Sequence, residues 1–215
     1  MHKNEFVILV HGYHKSSRDM LVLKKNLEQL HYQVIALDLP LTYQRLTEGI
    51  NCFEKAMDEI CRENKNRVKL HLVGHSTGGL IIRNFIYMHK TINIGRCVCI
   101  ATPHKGTKIV DLIGRIFPIF VKAFKTLEDL KTNKAYIYDQ WRCSNIEVGV
   151  IAGNKSNLLL GKLLTEKNDG RVEVESTKFK DMKDFIVTPY GHKEIHYQYQ
   201  TAQLIDQFLK KGFFS

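Results

Sequence analysis

The stretch LHLVGHSTGGLIIRNF, residues 70–85, constrains this chain more than any other. An apolar run short enough for a buried strand leads into Gly74-His75-Ser76-Thr77-Gly78-Gly79, and an apolar helical pattern follows at once. Three glycines in such a bend are costly, because glycine loses more backbone freedom on folding than any other residue. An ordinary βα turn is the bland reading of it. The sharper reading is that Gly74-His75-Ser76-Thr77-Gly78 is a G-x-S-x-G motif in the strand–turn–helix setting that holds up a nucleophilic serine. Small neighbours let strand and helix approach, and Ser76 stands at a helix N-terminus, where free N–H groups and the helix dipole favour developing negative charge. A phosphate-binding loop is the rival, but no Lys-Ser/Thr pair follows Gly79 and no dinucleotide fingerprint is present.

The rest of the chain repeats strand, loop, helix. Short apolar runs at residues 6–10, 33–37, 68–73, 96–100, 147–151 and 184–188 predict six strands. Met20, Leu23, Leu27 and Leu30 recur at helical spacing behind Ser16-Ser17-Arg18-Asp19, which resembles a capping signal. Thr47 is the expected cap of a helix burying Ile50, Phe53, Met57 and Ile60. A last helix runs through Ala202, Ile205, Phe208 and Leu209. This alternation predicts an α/β fold, one domain over residues 1–215 with about six mostly parallel strands and helices on both faces. In such sheets functional groups collect beyond the carboxyl ends of the strands. Residues 105–142 depart from the rhythm and read as a helical insert between the fourth and fifth strands.

Composition sets the class. The net charge of +10 permits anionic partners, but the basic residues are scattered without an arm or block, so a plain solvated surface is expected and no nucleic-acid partner. The apolar run at 6–10 is too short for a signal core, and no run approaches a membrane span. Cys52, Cys61, Cys97, Cys99 and Cys143 have no metal-binding spacing, and Cys97 and Cys99 share one strand face. Reduced, mostly buried thiols in a cytoplasmic protein are expected, with no metal site.

A serine hydroxyl needs a base, and the base an orienting carboxylate. For a serine on such a turn the chain order is serine, acid, histidine. Asn168-Asp169-Gly170 follows the fifth strand and Tyr190-Gly191-His192 the sixth, so Asp169 and His192 are the candidates. Asp-Gly is also a common turn pair. His196 and His75 rival His192: His196 is expected a turn into the final helix, facing away from the loop, and His75 packs inside the bend. The oxyanion hole is expected from the N–H groups of Thr77 and Tyr13, with Gly12 letting the backbone approach. Gly12 and His75 border the substrate position.

At this point the chain resembles the α/β-hydrolase superfamily, specifically its small lipase- and esterase-like members. The resemblance rests on ILVHGY (8–13), LVGHSTGG (72–79), ATPHKGT (101–107), NDGRVEVEST (168–177) and the late Gly191-His192, and so spans nearly the whole chain. It implies a minimal version of that fold, a Ser76–Asp169–His192 triad, an oxyanion hole at Tyr13 and Thr77, and no cofactor. The reaction implied is hydrolysis of a carboxylic ester, lipid-like or otherwise acyl, through an acyl-enzyme. Acyl transfer, thioester or amide cleavage by the same triad is the alternative, and a non-catalytic binding scaffold a further one.

Within the insert, Ile109, Leu112, Ile113, Ile116, Phe120 and Phe124 recur at helical spacing, with Gly114 and Pro118 weakening any helix. Packing on the core is one reading. The other is a cap or lid whose Ile113, Ile116, Phe117 and Phe120 wall the acyl chain while Lys108, Arg115, Lys122 and Lys125 face water or, transiently, an anionic membrane surface.

Overall fold

The computed structural model describes residues 5–64, 68–89, 93–134, 146–156 and 158–215. Six strands form one sheet: β1 Glu5–Val10, β2 Gln33–Leu37, β3 Lys69–His75, β4 Ile94–Ile100, β5 Glu147–Gly153 and β6 Asp184–Thr188. All neighbours pair in parallel, in the order β2-β1-β3-β4-β5-β6. The chain moves outward from β1 to β2, then crosses back to β3 and proceeds the other way. The reversal opens a crevice at the carboxyl ends of β1 and β3, where α/β sheets bind ligands. Gly12 and Ser76 meet there.

Helices cover both faces because strand side chains alternate between them. Ile8 and Val10 face α2 (Leu46–Glu63) and α3 (Thr77–Met88), joining Phe53, Met57, Leu80 and Phe85. Val7 and Leu9 face α1 (Leu21–Gln29) and the C-terminal helix, where Leu23, Leu27, Ile205 and Phe208 pack. Full burial of side chains of this size contributes about 1.5–3 kcal/mol each. Cys97 and Cys99 are buried on one face as free thiols, but Cys52 is exposed and Cys61 half-buried, contrary to mostly buried thiols. Cys143 lies outside the described residues. Among those residues no helix is long and apolar enough to cross a membrane.

Two expected caps are not used. Ser17–Met20 form a 3-10 turn before α1, and the Ser16 side chain makes no cap hydrogen bond. α2 starts at Leu46, one residue before Thr47, and its first N–H donates to the Asp129 carboxylate at 2.9 Å. A charged side chain from a distant segment replaced the local cap.

The insert is broken twice. α4 (Lys108–Ile116) is capped by Thr107, whose hydroxyl accepts the Ile109 N–H at 3.3 Å. Phe117 leaves the helical region before Pro118, as residues before proline do. α5 (Pro118–Ala123) and α6 (Lys125–Asp129) follow, with Phe124 as a second break, while Gly114 is accommodated inside α4. Residues 135–142 of the expected insert lie outside the described residues. The C-terminal helix, Tyr199–Lys211, is α7.

His11, His71 and His104 are fully buried. His11 Nε2 accepts the Leu39 N–H at 3.0 Å and His71 Nδ1 the Arg96 N–H at 2.9 Å, both tying the ring to its neutral form. Burial lowers the pKa of His11 and His104, and burial together with Lys69 brings His71 to about 4. These rings titrate lower in the fold than in the unfolded chain, so the unfolded chain binds more protons below about pH 6.5. Stability is full above that pH and falls as pH drops from about 6.5 toward 4. Urea titrations at stepped pH are expected to give a loss of at least about 1 kcal/mol per pH unit over that range. A midpoint that does not move there contradicts the neutral assignment.

Candidate active site

The bend after β3 is as tight as its sequence suggests. Ser76 has φ 53° and ψ −123°, a region a non-glycine residue occupies only under strain. A Cβ on Gly74 would lie 2.5 Å from the Gly79 nitrogen, on Gly78 2.4 Å from the Val10 carbonyl oxygen, and on Gly79 2.0 Å from the Thr102 hydroxyl. Each glycine therefore permits a different close approach: strand to helix, helix to β1, helix to the loop after β4. The Ser76 N–H donates to the Ile100 carbonyl at 2.8 Å.

The loop after β5 carries Asp169, 1% exposed. Its Oδ1 accepts the N–H groups of Arg171 and Val172 at 3.0 and 2.8 Å, which leaves Oδ2 for the His192 ring at 2.8 Å. The backbone N–H of His192 donates to the Asp169 carbonyl at 2.8 Å, tying the loop after β6 to the loop after β5. His192 Nε2 lies 3.1 Å from the Ser76 hydroxyl oxygen. With a carboxylate on Nδ1, that nitrogen carries the hydrogen, and Nε2 is left to accept the Ser76 proton.

Gly12 packs against the serine: a Cβ there would stand 2.9 Å from the Ser76 Cβ. The N–H groups of Tyr13 and Thr77 meet no acceptor among the described residues. The Thr77 N–H is one of the free donors of the first turn of α3.

The two other histidines form a brace behind the site. His75 is buried and its Nε2 donates to the His192 carbonyl at 3.0 Å. Burial, then the neighbouring His196 and His192, lowers its pKa well below the ordinary value, which fits a neutral ring with a hydrogen on Nε2. His196 lies in a 3-10 turn, Ile195–Tyr197, rather than on the final helix as expected, and is buried rather than facing away. Its ring stacks on His75 with centroids 4.0 Å apart, and its Nε2 lies 3.1 Å from Asp19. Burial alone would raise the Asp19 pKa, but hydrogen bonds with His196, Lys15 and Tyr197 hold it below the usual carboxylate range. Ligand atoms of Asp19, His75 and His196 lie within 4.8 Å of one another. The rings are stacked at 29°, however, so their lone pairs run alongside each other instead of converging on one ion.

An apolar cavity of about 320 Å³ opens beside Ser76 and His192. Ile113 and Phe120 line it, with Ile109, Val110, Phe124 and Leu127. Ile116 and Phe117, expected in its wall, do not: both are 61% exposed. Ile116 is the last residue of α4 and stands exposed there, and Phe117 leaves the helical region ahead of Pro118. Pro103 belongs to the ATPHKGT stretch already singled out, whereas sequence reasoning missed Leu130, Arg171 and Val172. These lie in separate loops, and no local pattern links them to the insert.

A sequence model described as the alpha/beta hydrolase fold matches residues 5–134, a span that holds Ser76 and stops before Asp169 and His192. No curated protein matches the chain significantly by sequence. The mature form of a lipase from Bacillus licheniformis superposes with a TM-score of 0.83 at 19% identity, covering 94% of this chain and 91% of that one. Its propeptide form gives 0.84 at 19% identity and 94% coverage, but the chain spans only 49% of that form's length. The phospholipase PlaB from Legionella pneumophila gives 0.74 at 18% identity, over 96% of this chain and 60% of its own. At such identities the likeness is one of fold. The parallel six-stranded sheet, the strained serine turn between strand and helix, and a sequence match over more than half of its length place the chain in the α/β-hydrolase family.

Proposed function

We propose that the protein is a serine hydrolase cleaving carboxylic esters of lipid-like or other acyl groups through an acyl-enzyme. The observation that carries this reading is the unbroken chain from Ser76 through His192 to Asp169, at 3.1 and 2.8 Å, opening on an apolar cavity. His192 Nε2 takes the Ser76 proton as the oxygen attacks the ester carbonyl, and the developing oxyanion meets the N–H groups of Tyr13 and Thr77. The imidazolium then protonates the leaving alcohol. Water, activated by the same ring, attacks the acyl-serine and frees the acid. Asp169 holds the ring's tautomer throughout.

The fold is read as one domain in which α4–α6 form a cap over the acyl cavity. The exposed Ile116, Phe117 and Ile119, beside exposed Arg115 and Lys122, suit brief contact with an anionic lipid surface. Purified protein assayed on nitrophenyl esters from acetate to long acyl chains tests the reading: hydrolysis dependent on His192 is expected, and its absence from well-folded protein contradicts it.

The cap reading makes its own prediction. Phe120→Asp sets a charge at the cavity mouth and is expected to cut kcat/KM on a long-chain ester relative to acetate by about tenfold, the worth of roughly two buried methylenes. Phe117→Asp, off the cavity wall, is expected to move that ratio much less. Equal losses on both esters with a lower Tm in Phe120→Asp contradict the cap reading.

A further inference from the structure

Tyr13, Ser76, Arg171 and His192 border two cavities at once. The apolar one has room for an acyl chain. The other is small, about 10 Å³, and carries the charged residues Lys15, Asp19 and Lys193 beside those four. It continues into an open groove past His14 and Arg18, which shares Lys15 and Asp19. An ester held at Ser76 with its acyl part in the apolar cavity would direct its leaving alcohol toward the charged side.

That side is cationic. Asp19 is the one carboxylate lining it among the described residues, and Lys15 at 2.8 Å, His196 at 3.1 Å and Tyr197 at 2.6 Å already occupy it. Arg171 and Lys193 have no carboxylate partner among the described residues. Arg171 is half-buried, and a bound anion would supply the counter-charge it lacks among those residues. Its backbone is pinned at both ends: the N–H donates to Asp169 at 3.0 Å and the carbonyl accepts the Thr107 hydroxyl at 2.6 Å. The side chain thus springs from a fixed point beside the reacting atoms. A guanidinium fork flanked by an ammonium suits a phosphate oxygen pair.

We propose that the leaving group of the natural substrate carries a phosphate, held by Arg171 with Lys193, so that the substrate is an acyl ester of a phosphorylated alcohol. The inference rests on the ester-hydrolase reading above. In the reaction the acyl–oxygen bond breaks, the acyl group passes to Ser76 and then to water, and the phosphorylated alcohol departs with the proton from His192. Phosphate chemistry itself is untouched.

The test uses two medium-chain esters with the same acyl group, a monoacylglycerol and its glycerol-phosphate counterpart, both kept monomeric. For the wild-type protein the phosphate ester is expected to have at least a tenfold higher kcat/KM, the scale of one hydrogen bond to a charged group. Salt at about 0.5 M is expected to shrink this advantage by screening. Arg171→Gln is expected to cut the ratio of the two kcat/KM values by about tenfold, Lys193→Gln by less, and Arg171→Lys to retain part of it. Hydrolysis of the neutral ester at equal or higher efficiency by the wild-type protein overturns the phosphate inference and leaves the hydrolase reading standing. A ratio unmoved by salt and by both glutamine variants overturns the role of Arg171 and Lys193. Failure to hydrolyse either ester or any nitrophenyl ester overturns the hydrolase reading and this inference with it.

Discussion

Ser76→Ala is expected to lower ester turnover by on the order of a millionfold, the loss that follows removal of a serine nucleophile acting in a triad. The fold should survive the change. The strained φ of 53° at residue 76 is imposed by the packing of β3, α3 and the loop after β4, and alanine relieves none of those contacts. Removing the hydroxyl deletes one bond, to His192, that only the reaction uses. A folded variant with the wild-type Tm and no measurable turnover is the expected result. Retention of more than about a tenth of wild-type activity would remove Ser76 from the mechanism.

Asp169→Asn is expected to reduce turnover by on the order of ten-thousandfold, as carboxylate-to-amide exchange does in other serine triads. The local hydrogen bonds say why. Oδ1 is already committed to two backbone N–H groups, at 3.0 and 2.8 Å. An asparagine satisfies them only with its carbonyl oxygen on that side, which turns its NH₂ toward His192 Nδ1. That ring nitrogen must then accept, so Nε2 carries the hydrogen and cannot take a proton from Ser76. The flipped amide keeps the tautomer but sets its NH₂ against the two backbone donors, leaving buried polar groups unpaired. Kinetics and a Tm measured together separate these outcomes. Turnover within about tenfold of wild type contradicts an orienting role for Asp169.

The sheet was legible in the sequence because each strand is a short apolar run, the central four largely buried on both faces and the edge strands β2 and β6 half-buried, and all six occur within two residues of where the pattern puts them. The serine turn was legible for a steric reason: Gly74, Gly78 and Gly79 sit where a Cβ would meet backbone or Thr102. Chain order pointed to Asp169 and His192, and their side chains lie in one hydrogen-bonded line with Ser76.

What escaped the sequence depends on contacts distant along the chain. Asp129 caps α2 from over 80 residues away, so the local Thr47 signal was misleading. His196 was placed on the final helix, facing away from the loop. Its burial comes from Asp19 and His75, which only the folded sheet brings beside it. The helix of the insert was real through Ile116, but Ile116 at its exposed end and Phe117 at the turn before Pro118 do not line the cavity. Arg171 gave no signal, since one arginine after an Asp-Gly turn is unremarkable until the two cavities flanking it are seen.

The central claim, an activated serine at the strand–helix turn, is tested most directly by reaction with a fluorophosphonate, followed by intact-mass measurement and peptide mapping. The account predicts one adduct per chain, on the peptide containing Ser76, absent in Ser76→Ala and formed far more slowly in His192→Ala. Folded wild-type protein that takes up no label, or takes it up at another residue with Ser76 unmodified, contradicts it.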